Sequence, residues 1–171
     1  MKVILYMAIT INGFIAKEND DTSFVSEIEW DSFRNMIKNT GNMIIGSRTY
    51  EIMRDSEGFK NLENIRVLVV SENANFKTIA NSHSVAQSPK DALTILEKEA
   101  FNKALVAGGG TLNASFMAEN LVDEIYLDVE PVVFGKGIQL FRENDFETKL
   151  KLLETKRLSD NEIQLHYQVL K

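Results

Sequence analysis

The hydrophobic positions of this chain fall into short dense runs, and between the runs they recur at helical spacing. Val3 to Ile9 is nearly continuous in apolar residues, which predicts a strand covered on both faces. Met43-Ile44-Ile45, Ile65 to Val70 and Lys103 to Ala107 predict three more buried strands, with a brief one around Val85. Ser26 to Asn39, Ser47 to Arg54 and Thr111 to Glu119 predict helices. A fourth helix opens at Ser88-Pro89-Lys90-Asp91, with Ser88 as N-cap, Pro89 at the first helical position and an acid in the first turn. Ala92, Leu93, Leu96 and Ala100 form its apolar stripe. Ile11-Asn12-Gly13-Phe14 predicts a turn, and Lys17 to Thr22 a polar loop. After residue 120 the pattern changes. Asp123 to Pro131 predicts a strand, and the alternating runs Lys149 to Arg157 and Glu162 to Leu170 predict an antiparallel hairpin around Ser159-Asp160-Asn161. The sum is an α/β domain with a mostly parallel sheet and an antiparallel C-terminal edge. Ligands of such sheets bind beyond the carboxyl ends of the strands, so the loops after Ile9, Ile45, Val70 and Ala107 carry the expected site.

Composition narrows the classes. A length of 171 residues predicts one domain. With 19 basic against 25 acidic residues, the net charge of −6 argues against nucleic acid or an anionic membrane as partner. The absence of cysteine removes disulfide scaffolds, thiolate metal sites and thiol nucleophiles, and fits a cytoplasmic protein. The apolar N-terminal run is too short to span a bilayer, is interrupted by Thr10 and Asn12, and reads as a first strand. His83 and His166 lack metal-ligand spacing, so no metal is expected, and no serine stands in a G-x-S-x-G elbow. Lys136, between two glycines in VVFGKGIQLF, reads as a solvated hairpin tip.

Three motifs carry candidate chemistry. In Leu105-Val106-Ala107-Gly108-Gly109-Gly110-Thr111-Leu112 a strand runs through three glycines into a helix. Glycine permits a sharp turn and a close anion, and a helix start offers free N–H groups at the positive end of its dipole. The motif is neither GxGxxG nor a P-loop, and it reads as a phosphate site or as a tight strand–helix joint. Ile45-Gly46-Ser47-Arg48-Thr49-Tyr50-Glu51 repeats the arrangement. Taken alone it is explained by N-capping from Ser47 or Thr49 with Arg48 solvated; paired with the first motif it would clamp a pyrophosphate. The third is Glu29. At about 100° per residue it falls within the apolar arc of Phe33, Met36 and Ile37, whereas Asp31 falls outside. A carboxyl there should resist ionisation and could hold a polar heterocycle or relay a proton. Equally, Ser26-Glu27-Ile28-Glu29 is a capping box in which Glu29 folds back onto the Ser26 N–H.

Over nearly its whole length the chain resembles the dihydrofolate reductase-like superfamily, and within it the stand-alone relatives of the RibD C-terminal reductase domain. The resemblance rests on YMAITINGFIA, NMIIGSRTYE, ALVAGGGTLNASFM and LVDEIYLDVEPVVFGKGIQLF. It implies a three-layer α/β/α fold and an NADPH-dependent reductase related to riboflavin biosynthesis. Hydride would pass to a pyrimidine- or pteridine-like heterocycle or its ribosylamino derivative, as in a 5-amino-6-(5-phosphoribosylamino)uracil reductase. Carried over by position, Ala8 and Ile15 would flank the nicotinamide, and Gly46, Arg48 and Thr49 would meet the pyrophosphate and adenosine side. Ser71 would lie by the adenine ribose, and Gly108, Gly109, Gly110, Thr111 and Leu112 would wrap the phosphates. Glu29 would be the catalytic carboxylate, assisted by Asp128, with Phe33 and Tyr126 against the substrate. The family's cis peptide would fall at Gly108–Gly109, and pairing into a homodimer is implied, with the C-terminal strands and Val132, Val133 and Phe134 available for it. The chain also departs from the pattern. The family's Gly-Arg-x-Thr is here Gly-Ser-Arg-Thr, and Glu72 follows Ser71 where a basic residue often holds the 2′-phosphate. The choice between NADPH and NADH therefore stays open. The loop that precedes the folate-site helix in typical folate reductases is missing. Dihydrofolate reduction and nucleotide binding without turnover are the alternative functions.

Overall fold

Residues 1–60 and 65–171 are described in the computed structural model. The order is β1 (Lys2–Thr10), β2 (Phe14–Ala16), α1 (Glu27–Thr40), β3 (Asn42–Gly46), α2 (Ser47–Met53), α3 (Glu57–Lys60), β4 (Arg66–Val70), β5 (His83–Ala86), α4 (Pro89–Lys98), β6 (Lys103–Val106), α5 (Gly110–Ala118), β7 (Glu124–Glu130), β8 (Ile138–Gln139), β9 (Lys149–Arg157) and β10 (Ile163–Leu170). Eight strands form one sheet in the order β5-β4-β3-β6-β1-β7-β10-β9. The six strands from β5 to β7 run parallel, and β10 pairs antiparallel with both β7 and β9.

The continuous apolar run of β1 has a direct cause. The strand sits between β6 and β7, and its side chains alternate between two covered faces. Val3 and Leu5 pack with Ala92 and Leu96 of α4 and with Leu112 and Phe116 of α5. Ile4 and Tyr6 pack on the other face with Phe33 and Ile37 of α1 and Tyr50 of α2. Helices thus cover both faces, and the fold is the expected three-layer α/β/α arrangement.

The caps fall where the sequence places them, one residue outside the helices. Ser26 Oγ accepts the Glu29 N–H at 3.0 Å, and Ser88 Oγ accepts that of Asp91 at 3.2 Å. Replacing Ser88 by alanine should cost about 1 kcal/mol, read as a lowered denaturation midpoint. Two short elements escape the sequence reading. Gly13 donates to the Thr10 carbonyl at 2.9 Å as the turn requires, but Phe14–Ala16 then pairs antiparallel with Ile138–Gln139 in a second, two-stranded sheet. The four-residue helix α3 was not expected at all. Both are too short to carry a hydrophobic period. At the far edge of the main sheet every residue of β9 is exposed. Among the described residues no helix is long and apolar enough to cross a membrane.

Candidate active site

The carboxyl ends of β1, β3, β4 and β6 open into one cavity of about 1190 Å³. Its middle is built by two helix starts. Gly46, the N-cap of α2, and Gly109, the N-cap of α5, make no side-chain capping bond, so the first-turn amides of both helices are left for a ligand. The capping by Ser47 or Thr49 that the motif alone suggests does not form. The two starts are tied together: the Gly46 N–H donates to the Gly108 carbonyl at 2.9 Å. A Cβ placed on Gly109 would lie 3.1 Å from Thr49 Oγ1, in the cleft between the helices. The peptide between Gly108 and Gly109 is cis. Gly108 has a φ of 91° and would drive a Cβ to 3.0 Å from Met7 Sδ. It stands outside the cavity wall and forms the joint between the loops; Gly109, Gly110, Thr111 and Leu112 line the cavity. A glycine-walled pair of uncapped amide rows fits a diphosphate.

Ala8, Ile15, Thr49 and Ser71 all line the same cavity. So does Arg48, which is held by Asp20 of the loop before α1, with Nη2 2.6 Å and Nε 3.1 Å from Oδ2. Sequence reasoning missed Arg142. It follows β8, lines the cavity, and donates its backbone N–H to the Gly110 carbonyl at 3.0 Å. A lone arginine after an unrecognised two-residue strand leaves no motif.

At the β1 end the cavity wall is Glu29, Trp30 and Phe33 of α1 with Tyr6 of β1. Glu29 is 4% exposed. The capping box forms only in part. Ser26 caps the helix, but its own N–H goes to Glu130 Oε1 at 2.9 Å, not to Glu29. The Glu29 side chain is therefore free of the cap, and among the described residues its carboxyl has no hydrogen-bond partner. Burial, reinforced by the Asp128, Glu130 and Glu162 charges, pushes its pKa up to about 8. It is an acid that stays protonated at neutral pH.

Asp128, expected to assist Glu29, and Tyr126, expected against the substrate, both stand outside the cavity wall. Asp128 is 1% exposed and stands behind Tyr6, outside the cavity wall. It accepts the Tyr6 hydroxyl and, at 2.8 Å, Gln164 Nε2. Burial pushes its pKa up, opposed by those two bonds. Ser32 of α1 joins the cluster, its Oγ 2.9 Å from Tyr6 Oη and 3.1 Å from Gln164 Nε2. Tyr126 is stacked 3.9 Å from the His166 ring and is likewise absent from the wall. The pair thus forms a support, in which the Asp128 network fixes the Tyr6 ring and Tyr6 stacks 5.3 Å from Phe33. Removing the hydroxyl in Tyr6→Phe leaves Asp128 one donor short and should cost about 1–3 kcal/mol in equilibrium denaturation. Among the described residues no cluster of His, Cys, Asp or Glu is arranged to hold a metal.

Residues 1–164 match the RibD C-terminal domain family, and the chain belongs to it. Its relatives include the uncharacterized protein YwjB of Bacillus subtilis strain 168, 29% identical over 169 residues and covering 97% of each chain. Among solved structures, RibD of Acinetobacter baumannii superposes with a TM-score of 0.81 at 16% identity, over 99% of this chain and 58% of that one. Dihydrofolate reductase of Enterococcus faecalis, complexed with NADP(H), gives a TM-score of 0.74 at 17% identity, over 99% and 97% of the two chains.

Proposed function

We propose that the protein is a reductase that uses a reduced nicotinamide dinucleotide to reduce a pyrimidine- or pteridine-like heterocycle, or the ribosylamino derivative of one. The observation that carries this reading is the cavity itself: two uncapped helix starts at its middle and a buried, unpartnered acid at one end. The dinucleotide, when bound, supplies the hydride. The amides of residues 47–49 and 110–112 would hold its diphosphate. Ala8 and Ile15 offer small and branched apolar surface for the nicotinamide face. Glu29 accepts or donates at the acceptor's polar edge and, protonated at neutral pH, delivers a proton as hydride arrives. Trp30 and Phe33 exclude water and hold the acceptor ring. Asp128, outside the wall, positions Tyr6.

The acid end also limits the substrate. Among the described residues the basic side chains of the cavity lining are Arg48 and Arg142, neither of them on α1. Protonated, Glu29 offers the acceptor ring one donor and one acceptor, and it brings no positive charge for a phosphate. The test is a panel of dihydropteridines, dihydrofolate and ribosylaminopyrimidines with and without phosphate, followed by loss of absorbance from the reduced nicotinamide. Turnover should favour unphosphorylated heterocycles. Tight dinucleotide binding without turnover on any acceptor would leave a binding protein instead.

A homodimer through the C-terminal hairpin is part of the same proposal. Leu150, Leu152 and Leu153 of the outermost strand are 41%, 51% and 44% exposed, on an edge with unpaired backbone groups. Light scattering should give twice the 19.4 kDa chain mass, falling to a single chain in Leu150→Lys/Leu152→Lys.

A further inference from the structure

The cavity continues past the helix starts, away from Glu29. Its wall there is Ser71-Glu72-Asn73, after β4, and Gln87-Ser88-Pro89, after β5. In the sheet, β4 and β5 lie beyond β3 on the side opposite β1. A dinucleotide with its diphosphate on the helix starts and its nicotinamide near Glu29 must lay its adenosine half against this wall. We propose, resting on the dinucleotide reading above, that Glu72 makes the chain select NADH over NADPH.

The loop that carries Glu72 is braced. The Ser71 N–H donates to the Ala86 carbonyl at 3.0 Å, the Asn73 N–H to Ser71 Oγ at 3.2 Å, and the Asn75 N–H to Asn73 Oδ1 at 3.0 Å. Glu72 itself is exposed, and among the described residues no ion pair neutralises it. Its carboxylate offers acceptors to the two hydroxyls of a ribose diol, the pairing that acidic residues make in NAD sites. A 2′-phosphate in the same place would bring a second negative charge against it.

Among the described residues this wall carries no compensating cation. Arg48, at the α2 start, is held by Asp20, itself part of the cavity lining. Arg142 follows β8 and stands at the start of α5, its backbone N–H on the Gly110 carbonyl, and it is part of neither the 71–73 nor the 87–89 segment. Neither Ser71, Asn73, Gln87 nor Ser88 carries charge. Among the described residues the adenosine end is thus net negative, and a phosphate there has hydroxyls and amides but no free guanidinium or ammonium to meet it.

Calorimetric titration of the wild-type chain with NADH and with NADPH at low ionic strength tests this directly. NADH should bind at least tenfold more tightly, a difference of about 1.4 kcal/mol. Glu72→Gln should raise affinity for NADPH, and Glu72→Lys should reverse the order by at least tenfold; the exposed position makes both variants safe for folding. Equal or tighter binding of NADPH by the wild type overturns the proposal and leaves the dinucleotide reading standing. An NADH preference that survives both substitutions unchanged removes Glu72 as its cause and overturns the proposal equally. If neither nucleotide binds, the dinucleotide reading falls and takes this inference with it.

Discussion

Glu29→Gln should be more stable than the wild type at pH 8.5 and far less active at pH 7. Both effects come from one buried carboxyl. Its folded pKa, about 8, lies above its ordinary value of 4.5. Between those two values the folded state keeps a proton that the unfolded state has lost, so stability falls as pH rises and levels off above about 8. Glutamine has no proton to lose. The variant should therefore match the wild type near pH 4.5 and exceed it at pH 8.5 by about 2–4 kcal/mol, or roughly 5–15 °C in Tm. Catalysis moves the other way. Loss of the proton donor should lower kcat about 10²–10⁴-fold, and the wild-type rate should decline through pH 8 while that of the variant stays flat. Thermal melts across pH and a pH–rate profile check the two halves separately. A variant no more stable at high pH would mean that Glu29 ionises freely in the folded protein.

Gly110→Ala should both unfold the phosphate cradle and weaken the protein. A Cβ at this position would stand 2.4 Å from the Gln139 carbonyl oxygen and 3.5 Å from the Arg142 N atom, both backbone. No rotamer change relieves contact with backbone, so the segment 139–142 must move. That segment is tied to α5 by two bonds, Arg142 N–H to the Gly110 carbonyl at 3.0 Å and Asn113 Nδ2 to the Leu140 carbonyl at 2.9 Å. Overpacking of this kind costs about 1–3 kcal/mol, and the lost bonds add to it. Dinucleotide affinity should fall at least tenfold. Gly46→Ala is the control, because its Cβ would meet nothing closer than 3.9 Å. It should fold as the wild type does.

The sheet was legible in the chain because strands buried on both faces leave nearly continuous apolar runs, as in Val3 to Ile9 and Ile65 to Val70. The C-terminal hairpin was legible because its strands alternate around a turn. The two-stranded sheet of β2 and β8 was not, since three residues against two carry no period and are held by pairing alone. The cradle could be read from its glycines, whose sole use is backbone geometry. Glu29 was ambiguous for a physical reason. Its spacing from Ser26 satisfies a capping rule, and only the tertiary pairing of the Ser26 N–H with Glu130, 104 positions away, releases it. The placement of Tyr126 and Asp128 behind the wall depends on which face of β7 meets Tyr6. A strand with no exposed residue, and with Asp128 itself buried, does not announce that choice. Arg142 was hidden because its place depends on a strand pairing and not on a neighbour in sequence.

The central claim is that the starts of α2 and α5 grip a dinucleotide's diphosphate between them. A crystal of the protein grown with the tighter-binding reduced nucleotide tests it most directly. The account predicts diphosphate oxygens within hydrogen-bonding distance of the N–H groups of residues 47–49 and 110–112, with the nicotinamide beside Ala8 and Glu29. A nucleotide seated elsewhere, or a diphosphate facing solvent with those amides untouched, would contradict it.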